Sequence, residues 1–270
     1  MTGAGRDIRD VEIAGHRLRV HVVGTPALGQ PVVVLLHEGL GSISMWRAFP
    51  DVLSQTLRLP VLVYDRYGHG ESDPLSGPRA PGFLDHEAVD VLPALLAACG
   101  VTRPILLGHS DGGTIALMYA AAFPERPLAC ITEAAHVLSE AKTREGVASV
   151  MRRWRDDADF RRRLSRHHGD GTAAMIEAWG EVWLRPEHEA WSMLDRLPAI
   201  RCPVLAIQGW DDEHGTRAQT DAIARGVGGP VEIAMIEDCA HVPHHQAPKT
   251  VLDRVRTFLA PVLPGVVADG

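Results

Sequence analysis

"ILLGHSDGGTIALMYAAAFPERP", residues 105–127, sets Ser110 between a histidine and an aspartate, with Gly108 two places before it and Gly112 two places after it. The apolar run 104–109 reads as a strand, and the alanine-rich run 111–123 has the spacing of a helix. Ser110 therefore sits on a strand-to-helix turn. A turn that sharp strains its apex and crowds the positions two residues away on either side, so both must lack a Cβ. The glycine pair picks the apex. If Asp111 were the apex instead, His109 would stand two places before it, and its Cβ would not fit.

An apex of this kind exposes the serine hydroxyl at the positive end of the following helix, where backbone N–H groups stabilise a developing oxyanion. One such donor is worth about 2.7–4 kcal/mol in kcat in measured cases. The N–H of Asp111 is the expected first donor. The second is expected from the glycine-rich loop "EGLGS" after the strand "VVVLLH", at Gly39 or, next, Leu40.

A serine hydroxyl needs a base to take its proton and an acid to orient that base, and on such a turn the chain order is serine, acid, histidine. "GWDDE" (209–213) follows a strand candidate and supplies Asp212, with Asp211 in reserve and Glu133 as a minor alternative. "IEDCAHVPHHQAP" follows the last strand candidate, and its first histidine, His241, is the expected general base. His244 and His245 read as the first turn of the closing helix. No metal site is expected there, because no carboxylate or cysteine at ligand spacing joins the three and Pro243 interrupts helical spacing.

Beyond this turn, apolar β-branched runs recur at 17–23, 31–37, 60–65, 128–134, 203–209 and 231–237. Several are apolar at nearly every position, as strands covered by helices on both faces must be. Helical spacing falls at 43–57, 84–98, 215–226 and 247–260, with Pro93 expected to kink or break the second of these. The alternation predicts an α/β fold with a mostly parallel, doubly wound sheet. Residues 135–198 are too long for a structureless connection and read as an inserted helical cap on a core of 1–134 and 199–270.

The cap carries Trp154, Trp179, Trp183 and Trp191. They serve either helix packing or an apolar or aromatic part of a substrate. Its arginine-rich stretch "RRWRDDADFRRRLSRHH" (152–168) is either a solvated face or a site for a carboxylate or phosphate.

With 46% hydrophobic and 23% charged residues in 270, the chain can build one large core. A net charge of −7 without a basic tail argues against nucleic acid and anionic membrane surfaces as partners. The amino-terminal stretch has no apolar run of signal length, and nowhere do about 18 apolar residues run together, so a cytoplasmic protein is expected. The four scattered cysteines read as structural thiols. A small-molecule substrate is the expected partner, and the sequence is compatible with a homodimer.

Taken together, "LLHEGLGS", "YDRYGHGESD" (64–73), "GHSDGG", "GWDDE" and "CAH" (239–241) resemble, in order, five motifs of the α/β-hydrolase superfamily. The likeness covers nearly the whole chain and is nearest to capped members such as the meta-cleavage-product hydrolases and carboxylesterases. It implies an α/β-hydrolase fold and a serine hydrolase that needs no cofactor, with Ser110, Asp212 and His241 as its triad and the N–H groups of Gly39 and Asp111 as its oxyanion hole. A carboxylic ester is the expected substrate, with thioester or carbon–carbon cleavage as alternatives and non-catalytic ligand binding as the rival class. Glu38 departs from the family's glycine and Asp111 from its apolar residue. The expectation is that one of these acids meets a donor on the substrate, in a pocket formed with Leu40 and tryptophans 154, 179 and 183.

Overall fold

The computed structural model describes residues 6–263. Eight strands form one sheet in the order β1-β2-β4-β3-β5-β6-β7-β8. They are β1 (Arg6–Ile13), β2 (His16–Val23), β3 (Val32–Leu36), β4 (Val61–Tyr64), β5 (Pro104–His109), β6 (Ala129–Glu133), β7 (Val204–Gly209) and β8 (Val231–Ile236). From β4 to β8 every neighbouring pair is parallel, and only the β1–β2 and β2–β4 pairs are antiparallel.

The continuous apolar runs fall where the sequence predicts strands, because side chains alternate across a sheet that is covered twice. Val34, Leu36, Leu62, Leu106, Cys130 and Ala206 pack into one core. Their neighbours Val33, Leu35, Val63, Leu107, Ile131 and Ile207 pack into the other. Each fully buried valine or leucine contributes roughly 1.5–3 kcal/mol.

The second core is closed by α1 (Phe49–Leu57) and, from the end of the chain, Pro248–Leu259. The first is covered by α2 (Phe83–His86), α3 (Leu92–Ala98) and α4 (Asp111–Ala122). Between β6 and β7 come α5 (Ala141–Asp156), α6 (Ala158–His168) and α7 (Thr172–Leu184), and after β7 comes α8 (Ala218–Gly226). The short α9 (Pro243–Gln246) precedes α10, the closing helix Pro248–Leu259. No helix among the described residues is long and apolar enough to cross a membrane.

Three local features differ from the sequence expectation. β1 is a strand that a charged stretch conceals: it pairs with β2 over its whole length through a two-residue turn whose Ala14 and Gly15 both have positive φ. The helix expected over 43–57 is split. A 3-10 turn at Ile43–Trp46 ends at Arg47, whose φ of 53° stops it before α1 begins. Pro93 causes no early break, because a π turn at Glu87–Val91 widens the helix just before it. The chain therefore runs helically from Phe83 to Ala98.

Because β3, β5, β6 and β7 are parallel, their carboxyl ends share one edge of the sheet. Leu36 pairs with Gly108, and His109 pairs with Glu133. This register brings the loops that start at His37, Ser110, Ala134 and Trp210 side by side, at the edge where open α/β sheets hold their ligands.

Candidate active site

Ser110 caps β5 with φ 51° and ψ −118°, a sparsely populated conformation for a residue with a Cβ. Such a conformation costs about 1–3 kcal/mol, which the packing around it must offset. The packing is backbone on backbone. A Cβ on Gly108 would lie 2.1 Å from the carbonyl oxygen of Gly112, and one on Gly112 would lie 2.0 Å from that of Leu36. The Ser110 N–H donates to the Glu133 carbonyl at 2.8 Å, which ties the apex to the neighbouring strand.

Two loops from the far end of the chain reach this apex. His241 Nε2 lies 3.0 Å from Ser110 Oγ, and His241 Nδ1 lies 2.8 Å from Asp212 Oδ1. Asp212 is itself held on both oxygens. Oδ1 accepts from the backbone of His214 at 2.8 Å and of Gly215 at 3.2 Å, and Oδ2 accepts from Gln208 Nε2 at 3.0 Å. Burial by itself would raise its pKa, but the hydrogen bond and charge of His241 and the His214 N–H hold it well below the usual carboxylate range.

The reserve acids are engaged elsewhere. Asp211 is exposed, and its N–H braces the loop by donating to the Cys239 carbonyl at 2.9 Å. Glu133 Oε2 takes His244 Nδ1 at 2.6 Å and the His244 N–H at 3.1 Å.

The Gly39 loop is set from beneath. The Glu38 carbonyl accepts from Arg66 Nη2 at 2.7 Å and from His37 Nδ1 at 2.8 Å. No peptide among the described residues is cis, so the Gly39 N–H on the same peptide plane points the opposite way. A Cβ on Gly39 would fall 2.1 Å from Trp179 Nε1, so only glycine fits beneath that indole. Asp111, as the first residue of α4, has no acceptor for its N–H inside the helix.

The Glu38 side chain, 22% exposed, turns back toward His109, whose Nδ1 lies 3.4 Å from Glu38 Oε2. On its other side His109 Nε2 donates to the carbonyl oxygen of His241 at 2.7 Å. Burial alone would lower the His109 pKa, but Glu38 overrides it and raises it. Despite its own burial, Glu38 is held far below the usual carboxylate range by the same contact. Sequence reasoning missed His109 in this role, although its place beside the apex serine was a signal.

A cavity of about 190 Å3 opens beside Ser110. Glu38, Leu40, Trp179 and Trp183 line it together with Asp111, Gly39 and His241. Trp154 does not line it, which corrects the sequence expectation. Thr143, Val147 and Val150 present one face of α5 to the cavity, and Trp154 lies one turn beyond Val150 in the same helix, packed half-buried against the core. None of the arginines of 152–168 lines it either. Arg161 caps the carbonyls of Trp154 and Arg155, and Arg162 pairs with Asp159.

His136 and His214 complete the wall and carried no recognisable sequence signal. Their rings lie 6.0 and 4.5 Å from that of His241. Burial first, and His241 next, push the pKa of each down to about 3, so both stand as neutral rings. Burial raises the Asp111 pKa, against the opposing pull of Arg66 and Arg79. What the arrangement can do chemically is pass a proton from a strained hydroxyl to an imidazole whose far nitrogen is held by a buried carboxylate.

The comparisons with known proteins agree with this architecture. The human serine hydrolase BPHL is 28% identical over 232 residues, which cover 83% of this chain and 78% of that protein. The RutD protein of Caulobacter segnis is 37% identical over 106 residues, 39% of this chain, and the matched stretch spans only 38% of RutD. Among solved structures, a bacterial membrane phospholipase A shares the fold with a TM-score of 0.79 at 21% identity, covering 96% of this chain and 87% of that one. A thermophilic esterase from Thermogutta terrifontis gives 0.71 at 23% identity, covering 95% and 99%. The family model described as alpha/beta hydrolase fold matches residues 31–174, more than half of the chain. With its eight-stranded, mostly parallel sheet, this chain belongs to the alpha/beta hydrolase fold family.

Proposed function

We propose that the protein is a serine hydrolase that cleaves a small carboxylic ester through an acyl-enzyme. Ser110 Oγ attacks the acyl carbon while its proton passes to His241 Nε2, and Asp212 orients the ring and stabilises the imidazolium that forms. The N–H groups of Gly39 and Asp111 hold the oxyanion of the tetrahedral intermediate. His241 then gives its proton to the leaving alkoxide. Water repeats the sequence against the acyl-enzyme and frees Ser110. Residues 135–198 act as the cap that keeps bulk water from this step, and the partner is a small molecule.

The observation that carries this reading is the unbroken hydrogen-bond chain from Ser110 Oγ through both nitrogens of His241 to Asp212, at 3.0 and 2.8 Å. A module that only binds ligands has no chemical need for all three groups in contact. The hydrolase names of the human relative and of the Thermogutta neighbour support the same class.

The test is labelling with a fluorophosphonate probe, followed by hydrolysis of p-nitrophenyl esters of increasing acyl length. The wild-type protein is expected to label and turn over short esters. Ser110→Ala is expected to do neither, with kcat reduced by about 10⁴-fold or more. A wild-type protein that neither labels nor hydrolyses would sink the reading in favour of ligand binding. A thioester run beside its oxygen ester separates those two substrate classes.

A further inference from the structure

His109 stands one residue before the nucleophile and is 1% exposed. Both of its ring nitrogens meet oxygens. Nε2 donates to the carbonyl oxygen of His241 at 2.7 Å, and Nδ1 lies 3.4 Å from Glu38 Oε2. A carbonyl and an ionised carboxylate only accept, and a neutral imidazole carries one N–H, so both contacts are served only by the imidazolium. The two partners belong to different halves of the site. Glu38 opens the loop whose next residue is Gly39, and His241 faces Ser110 Oγ at 3.0 Å.

The loop is shaped around that carboxylate. A Cβ on Gly41 would lie 2.3 Å from Glu38 Oε2, so the glycine leaves the room that the acid occupies. The charge balance needs the acid as well. The His109 and His241 rings are 5.1 Å apart, and without Glu38 a charged His109 would oppose the imidazolium that forms at His241 in each turnover. Also facing His109 are Glu133 at the end of β6, bound to His244 Nδ1 at 2.6 Å, and the His244 ring 5.1 Å away. His136, His214 and His245 feel its charge, but burial first holds the pKa of each at about 3, 3 and 4, so none of them titrates at alkaline pH.

We propose that His109, charged and paired with Glu38, is a positioning residue for the hydrolytic step: it clamps the oxyanion loop to the loop that carries His241 and so sets the imidazole against Ser110. This rests on the serine-hydrolase reading above. His109 touches no reacting atom and acts through the His241 backbone. A misplacement of about 1 Å in such a group can cost about 10²-fold in rate.

The experiment measures kcat and KM on p-nitrophenyl butyrate from pH 6 to 10 for wild type, His109→Gln and His109→Leu. Each protein is first shown to fold by its thermal transition, and its active sites are counted by fluorophosphonate titration. At pH 7 kcat is expected to fall about fivefold in His109→Gln, which keeps one donor nitrogen, and about fiftyfold in His109→Leu, which keeps none, with KM within about threefold in both. Burial alone would lower the His109 pKa, but Glu38 raises it above the ordinary histidine value. Above that value the wild-type kcat is expected to decline to the level of His109→Gln, whose own kcat does not decline, because a neutral ring also supplies a single donor nitrogen. Equal losses in the two variants, a loss confined to KM, a flat wild-type profile, or the same alkaline decline in His109→Gln overturns the clamp and leaves the hydrolase reading intact. If the leucine variant does not fold, the pH profiles of wild type and His109→Gln decide alone. A wild-type protein that does not label removes both readings.

Discussion

Arg66, fully buried, donates from Nη2 to the carbonyl oxygen of Glu38 at 2.7 Å and thereby fixes the peptide plane whose other end is the Gly39 N–H. The same guanidinium reaches His37 Nε2 from Nε at 3.4 Å, so the loop is gripped at two points. A donor aimed in advance costs no reorganisation when charge develops on the substrate oxygen. Arg66→Lys keeps the charge and loses the fork. Its expected effect is a fall in kcat of about tenfold or more with KM little changed, since the interaction is made only in the transition state. Steady-state kinetics on a short ester checks this. A raised KM at unchanged kcat would assign Arg66 to binding instead.

The pair formed by Glu38 and His109 predicts a pH dependence of stability. The folded pKa of His109 is raised, so the stabilisation is fully present below the unfolded histidine value of about 6.5 and is lost as pH rises through the folded value. Glu38 stays ionised across that window because its own pKa is depressed. Glu38→Gln is therefore expected to cost about 1–3 kcal/mol near pH 6 and progressively less toward pH 9. Urea unfolding of both proteins at several pH values measures the difference. A gap that stays constant with pH contradicts the assignment.

The nucleophile turn is expected to be intolerant of a single methyl group. Gly108→Ala sets its Cβ against the backbone carbonyl of Gly112 at 2.1 Å, where no side chain can yield. The expected loss lies at the upper end of about 1–3 kcal/mol, and activity should fall with it. Gly77 has nothing within 4 Å of its Cβ position, so Gly77→Ala serves as the control, within about 0.5 kcal/mol of wild type. Equal thermal shifts for the two variants would mean that the turn is looser than its packing indicates.

Acid should weaken the fold as pH falls below about 6.5, where the unfolded chain's histidines take up protons that the buried ones refuse. His37 Nε2 and His168 Nδ1 each accept a backbone N–H, from Arg66 at 3.1 Å and Gly70 at 2.9 Å, and protonation would turn either acceptor into a clashing donor. Burial lowers the pKa of His37 well below its ordinary value, that of His168 to about 4 and that of His136 to about 3. Groups depressed on folding give stability that is complete above about pH 6.5 and is lost as pH falls toward the folded values. The loss is about 1.4 kcal/mol per pH unit for each such histidine within its window. Denaturation midpoints from pH 7.5 down to 4.5 test it, and a flat profile to pH 5 would contradict it.

The sequence carried its information best where the constraint is local. Gly108 locates the apex because the turn's own backbone, at the Gly112 carbonyl, excludes a Cβ there, while Gly112 is pressed against Leu36 at the end of β3. The buried strands were equally legible, since a strand covered on both faces must be apolar at almost every position. β1 was hidden for the converse reason: its residues are charged, and pairing with β2 rather than local pattern makes it a strand. The π turn that accommodates Pro93 follows from helix geometry that spacing alone does not encode.

By itself the sequence determined seven of the eight strands and the glycine-bound turn that carries Ser110. Only the tertiary structure decided that Glu38 turns to His109, that Arg66 holds the Glu38 carbonyl, and that Trp179 and Trp183 line the cavity beside Ser110 while Trp154 does not. Such contacts join residues on different loops, and the parallel sheet gathers those loops at one edge. The stagger of the strands and the seating of the helices between β6 and β7 set the partners, and no stretch of chain encodes either alone.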